Sequence, residues 1–369
     1  MVTVPCLERI SCSALSSGHQ SLATVMPRAS QLADHLRKIV ESFRRLTITV
    51  LGDMVADEFV FGEISRVSRE APVLILRHRD RTVVPGGGAN AANNLADLGV
   101  NVLPVGIIGN DDPGRLLLRA FRHKQIPVTG ILKDKHHPTV TKTRILAGMP
   151  HTWRQQVVRI DRESESAPDQ HLSRELALAT REYLRISDAL LVSDYGYGAA
   201  TPGILNAARG KTRGSSMPIV LDSRHRMLEF CGITAATPNE PEVEEALDIE
   251  IGPDWKKLCA AGQEIMSRMG LKSLLITRGR DGMVAFSGKH KPVDIPISGS
   301  DQVTDVTGAG DSVIATFTAA LAAGASAEEA AHLANYAGGI VVMKSGTATV
   351  TQSELLAAIE QCPPAVRAH

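Results

Sequence analysis

Short β-branched runs alternate with helical stretches along most of this 369-residue chain, and this alternation constrains the fold more than any other feature. Buried strands are predicted at residues 46–51, 100–108 and 273–277, and helices at residues 112–123 and 169–184. Strands separated by helices of about ten or more residues form parallel βαβ crossovers, and both faces of such a sheet must be covered. We therefore expect an α/β fold with a doubly wound, mostly parallel sheet and helices on both faces.

Two groups of extended segments, at about residues 58–84 and 139–160, interrupt this alternation. They contain no helices, so we expect them to form a small antiparallel sheet that projects from the main sheet as a lid. An amphipathic helix is predicted at residues 31–46, after a serine-rich stretch with little periodicity. We expect residues 1–30 to be a flexible leader and residues 31–362 to be one domain that includes the lid.

The composition excludes several classes of function. The 40 Lys and Arg residues are balanced by 40 Asp and Glu residues, whereas a nucleic-acid binder held by a basic surface needs a surplus of positive charge. No apolar run reaches the roughly 18 residues of a spanning helix, so we expect no membrane partner and a cytoplasmic location. The five cysteines form no Cys-x-x-Cys pair, which favours a reducing compartment without a disulfide framework.

The string Asp-Val-Thr-Gly-Ala-Gly-Asp at residues 305–311 leads directly into a helical stretch at residues 312–323. Small residues let consecutive N–H groups point into one concavity at a helix N-terminus, where the helix dipole also favours anions. Such a concavity can stabilise the charge on a phosphoryl group during transfer, and Asp311 could accept the proton of an attacking hydroxyl. The alternative is ordinary helix-start chemistry, in which Asp is the N-cap and glycine precedes it.

A second glycine cluster, Pro-Gly-Gly-Gly-Ala-Asn-Ala at residues 85–91, also follows a strand and begins a helix. Its Gly-x-Gly-x-x-Ala spacing matches the dinucleotide fingerprint, with Asp111 and Asp112 about 20 residues further on, so a nicotinamide-dependent oxidoreductase is one interpretation. In a second interpretation the loop approaches a polyhydroxy substrate and Asn90 hydrogen-bonds to a hydroxyl. The third is a tight turn before a helix.

Other familiar motifs are missing from the sequence. The Gly-Lys-Thr at residues 210–212 is not a P-loop, because the required glycine five positions earlier is replaced by Leu205. Phosphoryl transfer would therefore have to use the loop at residues 308–311. Neither an H-E-x-x-H motif nor a Cys/His cluster is present, so we expect no tightly held structural metal.

Together, the early glycine cluster and the late Asp-Val-Thr-Gly-Ala-Gly-Asp string resemble the two signatures of the ribokinase-like (PfkB) carbohydrate kinases. The resemblance runs from about residue 50 to residue 350. Within that family the chain is similar to the kinases that phosphorylate the anomeric hydroxyl of D-glycero-D-manno-heptose 7-phosphate, a step towards the ADP-heptose of lipopolysaccharide cores. The stretches that carry this second likeness lie at residues 50–53, 65–73, 138–144, 158–161 and 191–195.

The resemblance implies a ribokinase-like domain with a β lid, ATP and Mg²⁺ as cofactors, and a homodimer formed through the lid strands. It also implies a site, residue by residue. The catalytic positions are the base Asp311 and an anion hole at Gly308, Ala309 and Gly310. The substrate-binding positions are Asp53, Gly87, Gly88, Asn90, Lys142, Arg144 and Arg159. The nucleotide-binding positions are Asn239, Glu242, Thr277, Arg278, Gly279, Asp305, Thr307, Gly308, Gly310 and Asn335.

Two of these implied groups concern cations. Asn239 and Glu242 match an N-x-x-E element that organises Mg²⁺ through its waters, so no residue is expected to ligate the metal directly. Some relatives also use a monovalent cation near the loop that begins at Asp305.

The chain departs from the heptose kinase pattern at two positions, with Tyr197 in place of a lysine and Arg224 in a Asp-Ser-Arg-His stretch where the pattern has Asp-Pro-Lys-Gly. Other sugars, sugar phosphates or nucleosides are therefore alternative substrates, and a catalytically silent sugar or nucleotide sensor is the alternative outside enzymes. Many relatives continue into a nucleotidyltransferase domain with an H-x-G-H element, which the sequence to His369 does not contain. We accordingly expect a separate protein to attach the nucleotide.

Overall fold

The computed structural model describes residues 22–148, 155–164, 167–210, 217–288, 290–298 and 304–361, and these ranges contain ten α-helices and thirteen strands. The helices are α1 (Leu22–Ser42), α2 (Gly88–Asp97), α3 (Asp112–His123), α4 (Gln170–Leu184), α5 (Pro202–Arg209), α6 (Glu240–Leu247), α7 (Trp255–Met269), α8 (Ala309–Ala322), α9 (Ala327–Val341) and α10 (Gln352–Gln361). The strands are β1 (Thr47–Gly52), β2 (Met54–Val67), β3 (Leu74–Gly87), β4 (Asn101–Gly109), β5 (Ile131–Asp134), β6 (Thr141–Gly148), β7 (Gln155–Arg162), β8 (Ala189–Asp194), β9 (Ile219–Ser223), β10 (Ala235–Ala236), β11 (Ser273–Thr277), β12 (Met283–Ser287) and β13 (Val293–Ile295).

Nine of these strands form the main sheet, in the order β13-β12-β11-β10-β9-β8-β1-β4-β5. The pairs from β5 to β11 are parallel, and β12 and β13 add an antiparallel edge. Successive side chains of β1 point into opposite cores, since Ile48 and Val50 pack on one face and Leu51 on the other. Helices cover both faces, so the predicted doubly wound α/β fold is confirmed.

The other four strands form the lid sheet, in the order β3-β2-β6-β7. Its two hairpins are antiparallel, as expected for the lid, and the pair β2 and β6 that joins them is parallel. The chain passes through α2, β4, α3 and β5 between the hairpins and returns to the same end, which makes the joining pair parallel. The strands β2 and β3 also run beyond the predicted segment of residues 58–84, and residues 149–154 of the second segment lie outside the described residues.

The first helix begins at Leu22 and ends at Ser42, whereas the sequence predicts a helix at residues 31–46. Leu36 and Val40 on its buried face are anchored in the core, as is Phe43 in the short 3-10 turn that follows the helix. Extending an anchored helix costs little, because each further residue adds a hydrogen bond, so the helix continues into the predicted leader. Residues 1–21 lie outside the described residues.

The strands that the sequence does not predict are the shortest ones, namely β5, β10 and β13. They have four, two and three residues, too few for a hydrophobic period, and their pairing partners define them. Cys231 and Cys259 form no disulfide, and the other three cysteines lie outside the described residues. In the part of the chain that the structure describes, no helix is both long and apolar enough to cross a membrane.

Candidate active site

The predicted site residues meet where the carboxyl ends of β1, β8 and β9 face the first turns of α2 and α8. In open α/β sheets, ligands bind outside the carboxyl ends of the strands, where the chain connections diverge to opposite sides. Here Asp53 follows β1, Asp194 ends β8 and Asp222 lies in β9. Strand order thus brings together carboxylates that are far apart in the sequence.

The loop before α8 has a geometry that requires glycine. Gly308 is the N-cap of α8 with a φ of 78°, in the left-handed region, and a Cβ at this position would lie 2.7 Å from Asn90 Nδ2. Asp311 is therefore the third residue of the helix and not its cap, which removes the helix-start alternative for this carboxylate. The N–H of Ala309 donates to the carbonyl of Val306 at 3.2 Å, so among the described residues only the N–H groups of Gly308 and Gly310 are left open in the predicted anion hole.

Asp311 is 2% exposed, and both of its carboxylate oxygens accept a hydrogen bond. Asn90 Nδ2 donates to Oδ2 at 2.8 Å, and the Tyr195 hydroxyl donates to Oδ1 at 2.8 Å. Burial raises the pKa of Asp311 to about 7, against the lowering effect of these two donors. A carboxyl group with this pKa can take up or release a proton near neutral pH, as a general base must.

A buried polar network fixes Asn90 in place. Asn94 Nδ2 donates to the carbonyl oxygen of Asn90 at 3.0 Å, and the Ser312 hydroxyl donates to Asn94 Oδ1 at 2.8 Å, which links α2 to α8. Gly87 has a φ of 54°, and a Cβ on Gly88 would lie 2.9 Å from the Gly52 Cα. Gly87 and Gly88 thus let α2 begin directly against β1. Their predicted contact with a sugar stays a prediction.

Asp53, a predicted sugar-binding residue, organises a loop. Its Oδ2 accepts from the N–H groups of Tyr195 and Tyr197 at 2.8 and 3.0 Å, and its Oδ1 accepts from the N–H of Ala199 at 2.9 Å. Burial raises its pKa to about 6. Asp53 therefore shapes the loop at residues 195–199, and its predicted contact with substrate is untested.

Cationic side chains line the inner face of the lid. Lys142 is 7% exposed, and its Nζ lies 5.1 Å from the ring centroid of Tyr195 and 5.7 Å from that of Tyr197. The Arg224 guanidinium lies 5.9 Å from the same Tyr195 ring. Burial, followed by repulsion from Arg224, lowers the pKa of Lys142. No carboxylate in the described ranges forms an ion pair with Lys142, so this cluster favours an anionic ligand.

The two predicted arginines of the lid have carboxylate partners. Arg144 Nη1 lies 2.6 Å from Asp57 Oδ1, and Arg159 donates two hydrogen bonds to Asp161, at 2.6 and 2.7 Å. Arg144 stands two residues after Lys142 on β6, so both side chains point to the same face of the lid. Arg159 is the register partner of Arg144 on β7 and shares that face. Their charges are therefore largely balanced before any ligand binds.

Two cavities continue from this point along the main sheet. One of about 400 Å³ is lined by Asp222, Arg224, Asn239 and Glu242, among others. The other, of about 210 Å³, is lined by Gly279 and Asn335 and by apolar side chains. Thr277, Val306 and Gly310 line both, so the two cavities form one groove past the loop of α8. An apolar end and a polar end beside an amide-lined loop suit a nucleotide base and its phosphates.

The structure brings most of the predicted nucleotide-binding residues into this groove. Some of them also form hydrogen bonds within the protein. Asn239 and Glu242 form a reciprocal capping box on α6, with bonds of 2.8 and 2.9 Å. Asn335 Nδ2 donates to the Pro296 carbonyl at 2.8 Å. Arg278 pairs with Glu240 at 3.0 Å, and the pair lines a neighbouring cavity of about 520 Å³ that shares Arg280 and Ile297 with the apolar end of the groove.

The Asp305 carboxylate holds the loop of α8 in shape. It accepts from the N–H groups of Thr307 at 2.9 Å and Gly346 at 3.0 Å. Asp305 and Thr307 are therefore structural parts of this loop, and their contacts with a nucleotide stay predictions.

Three polar residues of the site were given no role by the sequence, namely the Tyr195 hydroxyl, Asp57 and Asp222. Burial and repulsion from Glu242 raise the pKa of Asp222 well above its usual range. Polar residues directly at the end of buried parallel strands, as at Asp194-Tyr195, are a signal that could have pointed to this edge of the sheet. No group of three or more metal-ligating side chains is found in the described part of the chain.

The dinucleotide interpretation of the glycine cluster loses its acidic partner. Asp111 is the N-cap of α3 and accepts from the N–H of Gly114 at 3.1 Å, and Asp112 pairs with Arg81. Both carboxylates are thus committed to the start of α3 and to the lid.

Comparison with known proteins gives three findings. A family model described as pfkB family carbohydrate kinase matches residues 47–354. The curated relatives include the bifunctional protein HldE of Pelobacter propionicus, 38% identical over 332 residues that cover 88% of this chain, and HldE of Geobacter metallireducens, 38% identical over 325 residues that cover 87%. The chain spans 66% and 65% of the length of these two relatives, a little under two thirds.

Solved structures share the fold at low sequence identity. Arabidopsis thaliana ribokinase complexed with ribose and ATP superposes with a TM-score of 0.67 at 19% identity, covering 85% of this chain and 99% of that one. Escherichia coli phosphofructokinase-2 in complex with substrates and products gives 0.69 at 19% identity, with 86% and 98% covered. These likenesses support the ribokinase-like architecture of the main sheet and lid.

Proposed function

Because this chain belongs to the pfkB family of carbohydrate kinases, we propose that it uses ATP to phosphorylate a sugar that already carries a phosphate, namely D-glycero-D-manno-heptose 7-phosphate. Membership makes the chain an enzyme that phosphorylates sugars, so the oxidoreductase interpretation is wrong. The observation that carries the finer proposal is the buried Lys142, which lacks a carboxylate partner in the described part of the chain and lies beside Arg224 at the rim of the site. The choice of heptose rests on the sequence stretches at residues 65–73 and 138–144.

The proposed reaction is a direct phosphoryl transfer. Asp311 accepts the proton of the anomeric hydroxyl while the oxygen of that hydroxyl forms a bond to the γ-phosphorus of ATP. The bond between the γ-phosphorus and the oxygen that bridges it to the β-phosphate breaks, and ADP is released. In this reaction the open N–H groups of Gly308 and Gly310 stabilise the charge on the transferring group. The groove through Thr277 and Gly310 supports a nucleotide bound with its base near Asn335.

Asn239, Glu242 and Asp222 fit a Mg²⁺ ion held through water. Burial raises the pKa of the Asp222 and Glu242 carboxyl groups, and repulsion from Glu242 raises the pKa of Asp222 further. A cation between the two carboxylates would reduce this repulsion. Mg²⁺ bound there would neutralise phosphate charge. The monovalent cation near Asp305 stays a prediction.

The proposal extends to the assembly and the setting of the enzyme. We infer a homodimer formed through the lid strands, a cytoplasmic location where ATP is available, and a place in the synthesis of ADP-heptose for lipopolysaccharide. Another phosphorylated sugar, a free sugar or a nucleoside is the alternative substrate. Membership of the carbohydrate kinase family argues against a silent sensor, as does Asp311 beside an open amide loop.

Substrate specificity tests the proposal. ADP release is measured with Mg-ATP and a panel of free and phosphorylated sugars, including the heptose with and without its 7-phosphate, and the product is identified by NMR. We expect kcat/KM to be at least about tenfold higher with the phosphate, since a charge-assisted hydrogen bond contributes about 1.5–3 kcal/mol. A preference for the free sugar contradicts the phosphate site, and ADP release with none of the compounds contradicts the proposed substrate.

The variant Lys142→Met separates the phosphate site from the rest of the enzyme. It keeps the length of the side chain and removes its charge, so KM for the sugar phosphate should rise about tenfold or more while KM for ATP stays the same. The matched control is Lys133→Met, on an exposed position of β5 outside the lid. Equal effects of the two variants would contradict the role of Lys142.

A further inference from the structure

We propose that Tyr195 is a positioning residue for the candidate base, with a hydroxyl that orients the Asp311 carboxylate for proton transfer. The inference rests on the proposed function, in which Asp311 accepts the proton of the sugar. The ring of Tyr195 lies beside Lys142 and Arg224, the cations that the proposed function assigns to the substrate phosphate. The inference gives its hydroxyl a separate part in the reaction.

The contact between the two residues is direct. The Tyr195 hydroxyl donates to Asp311 Oδ1 at 2.8 Å, and Asn90 donates to Oδ2 at 2.8 Å. One donor follows β8 and the other stands in α2, so two independent elements fix the plane of the carboxylate. A displaced base loses rate steeply, because proton transfer requires the donor and acceptor to be within hydrogen-bond reach.

Tyr195 is itself held from several sides. Its N–H donates to Asp53 Oδ2 at 2.8 Å, and Lys142 and Arg224 both approach its ring, at 5.1 and 5.9 Å from the ring centroid. A Cβ on Gly87 would lie 3.3 Å from its Cε2. Burial, followed by the negative charge of Asp311, raises the pKa of the phenol well above its usual value. The hydroxyl thus remains a donor throughout the pH range of an assay.

Removing the hydroxyl should change the pH dependence of the base. Four titratable groups face Asp311 from the elements packed around it: Asp57, Lys142, Tyr195 and Asp222. The carboxylates disfavour an ionised Asp311, whereas Lys142 and the tyrosine hydroxyl favour it. Loss of the hydroxyl therefore raises the pKa of Asp311. Since the base must be ionised to act, the acid limb of the kcat profile moves to higher pH.

The variant Tyr195→Phe tests this, because it keeps the ring beside Lys142 and Arg224 and removes only the hydroxyl. We expect kcat to fall about tenfold to a hundredfold near pH 7, with KM for ATP and for the sugar phosphate changed by less than about threefold. Part of the loss should be recovered at about pH 9. The control is Tyr183→Phe, which removes a hydroxyl that contacts Thr129 away from the site and should leave kcat and its pH profile unchanged.

A second substitution keeps the test decisive if the phenylalanine variant folds poorly. Tyr195→3-fluorotyrosine retains the hydroxyl and makes it a stronger donor, so kcat should stay within about threefold of wild type and the acid limb should move to lower pH. The inference would be overturned if Tyr195→Phe lowered kcat equally at every pH or did not lower it at all. It would also be overturned if the acid limb of the 3-fluorotyrosine variant stayed at the wild-type pH. Those outcomes, combined with an inactive Asp311→Asn enzyme, would refute the role of Tyr195 and leave the proposed function standing.

Discussion

Asp311 illustrates how burial and hydrogen bonding act against each other at one residue. Burial disfavours its charge and raises its pKa to about 7, while Asn90 and Tyr195 each stabilise the charged form. The balance leaves a carboxyl group that is ionised in a useful fraction at neutral pH. The same balance makes the residue sensitive to loss of either donor.

Replacing this carboxyl group should abolish most of the transfer. For Asp311→Asn we expect kcat to fall by a factor of about 10²–10⁴, because an amide cannot accept the proton, while Mg-ATP binding measured by calorimetry is retained. In the wild-type enzyme kcat should decline as the pH falls through about 7, since the base becomes protonated.

The matched control is Glu264→Gln, which neutralises an exposed carboxylate on α7 that pairs with Arg268. It should leave turnover unchanged. Turnover of Asp311→Asn within about tenfold of wild type would rule out Asp311 as the base.

The sequence predicts that Asn90 and Asp311 belong to one site, because each stands in a glycine string that resembles a signature of the kinase family, but it does not predict the hydrogen bond between them. It could not predict that Tyr195 would reach Asp311, since the two residues are 116 positions apart and only the pairing of strands brings them together. Nor could it tell that the Arg278 side chain turns to Glu240. A side chain's direction depends on partners that the local pattern does not contain.

At the scale of elements, the hydrophobic period and the helix caps are sufficient to predict the bounds of the longer helices and strands. The bounds of α3 and β11 agree with the sequence prediction, because Asp111 is a strong N-cap and Thr277 ends an apolar run. The N-terminal extension of α1 and the parallel pair of the lid depend on tertiary packing, which overrides local signals.

Asp111 connects one of these elements to the lid. Its carboxylate caps α3 and also accepts from Thr139, both from the hydroxyl at 2.6 Å and from the N–H at 3.0 Å, just before β6 begins. It further pairs with Arg162 at the end of β7. One carboxylate thus ties both strands of the second lid hairpin to the main domain.

We therefore expect Asp111→Ala to cost more than an ordinary cap. Loss of an N-cap destabilises by about 0.5–2 kcal/mol, and the unpaired Thr139 groups should add about 1 kcal/mol or more to the loss in the free energy of unfolding, measured with urea. Hydrogen exchange should accelerate in β6 and β7, and KM for the sugar should rise because Lys142 stands on β6.

The control is Asp169→Ala, which removes the N-cap of α4 without a contact to the lid. It should show only the loss typical of a cap, with unchanged exchange in the lid and unchanged kinetics. If both variants behave alike, Asp111 is a cap and nothing more.

For the whole molecule, the lid sheet has two faces of different character. Asp57, Lys142 and Arg159 stand on the face towards the site, and the alternate residues stand on the outer face. On that outer face Val158 and Ile160 are 48% and 54% exposed. An exposed apolar face on a sheet with open edges favours burial against a second copy of the same chain, with the same surface on both partners.

The assembly can be tested by sedimentation at micromolar concentration, where we expect a species of twice the chain mass of 39.4 kDa. The double substitution Val158→Lys and Ile160→Lys should shift it to the mass of one chain, because two-fold symmetry brings like charges together in the interface. The matched control, Leu178→Lys with Ile186→Lys, alters two exposed apolar residues outside the lid and should leave the dimer intact. A wild-type chain that sediments as a monomer, or a lid variant that remains dimeric, would show that this face does not form the interface.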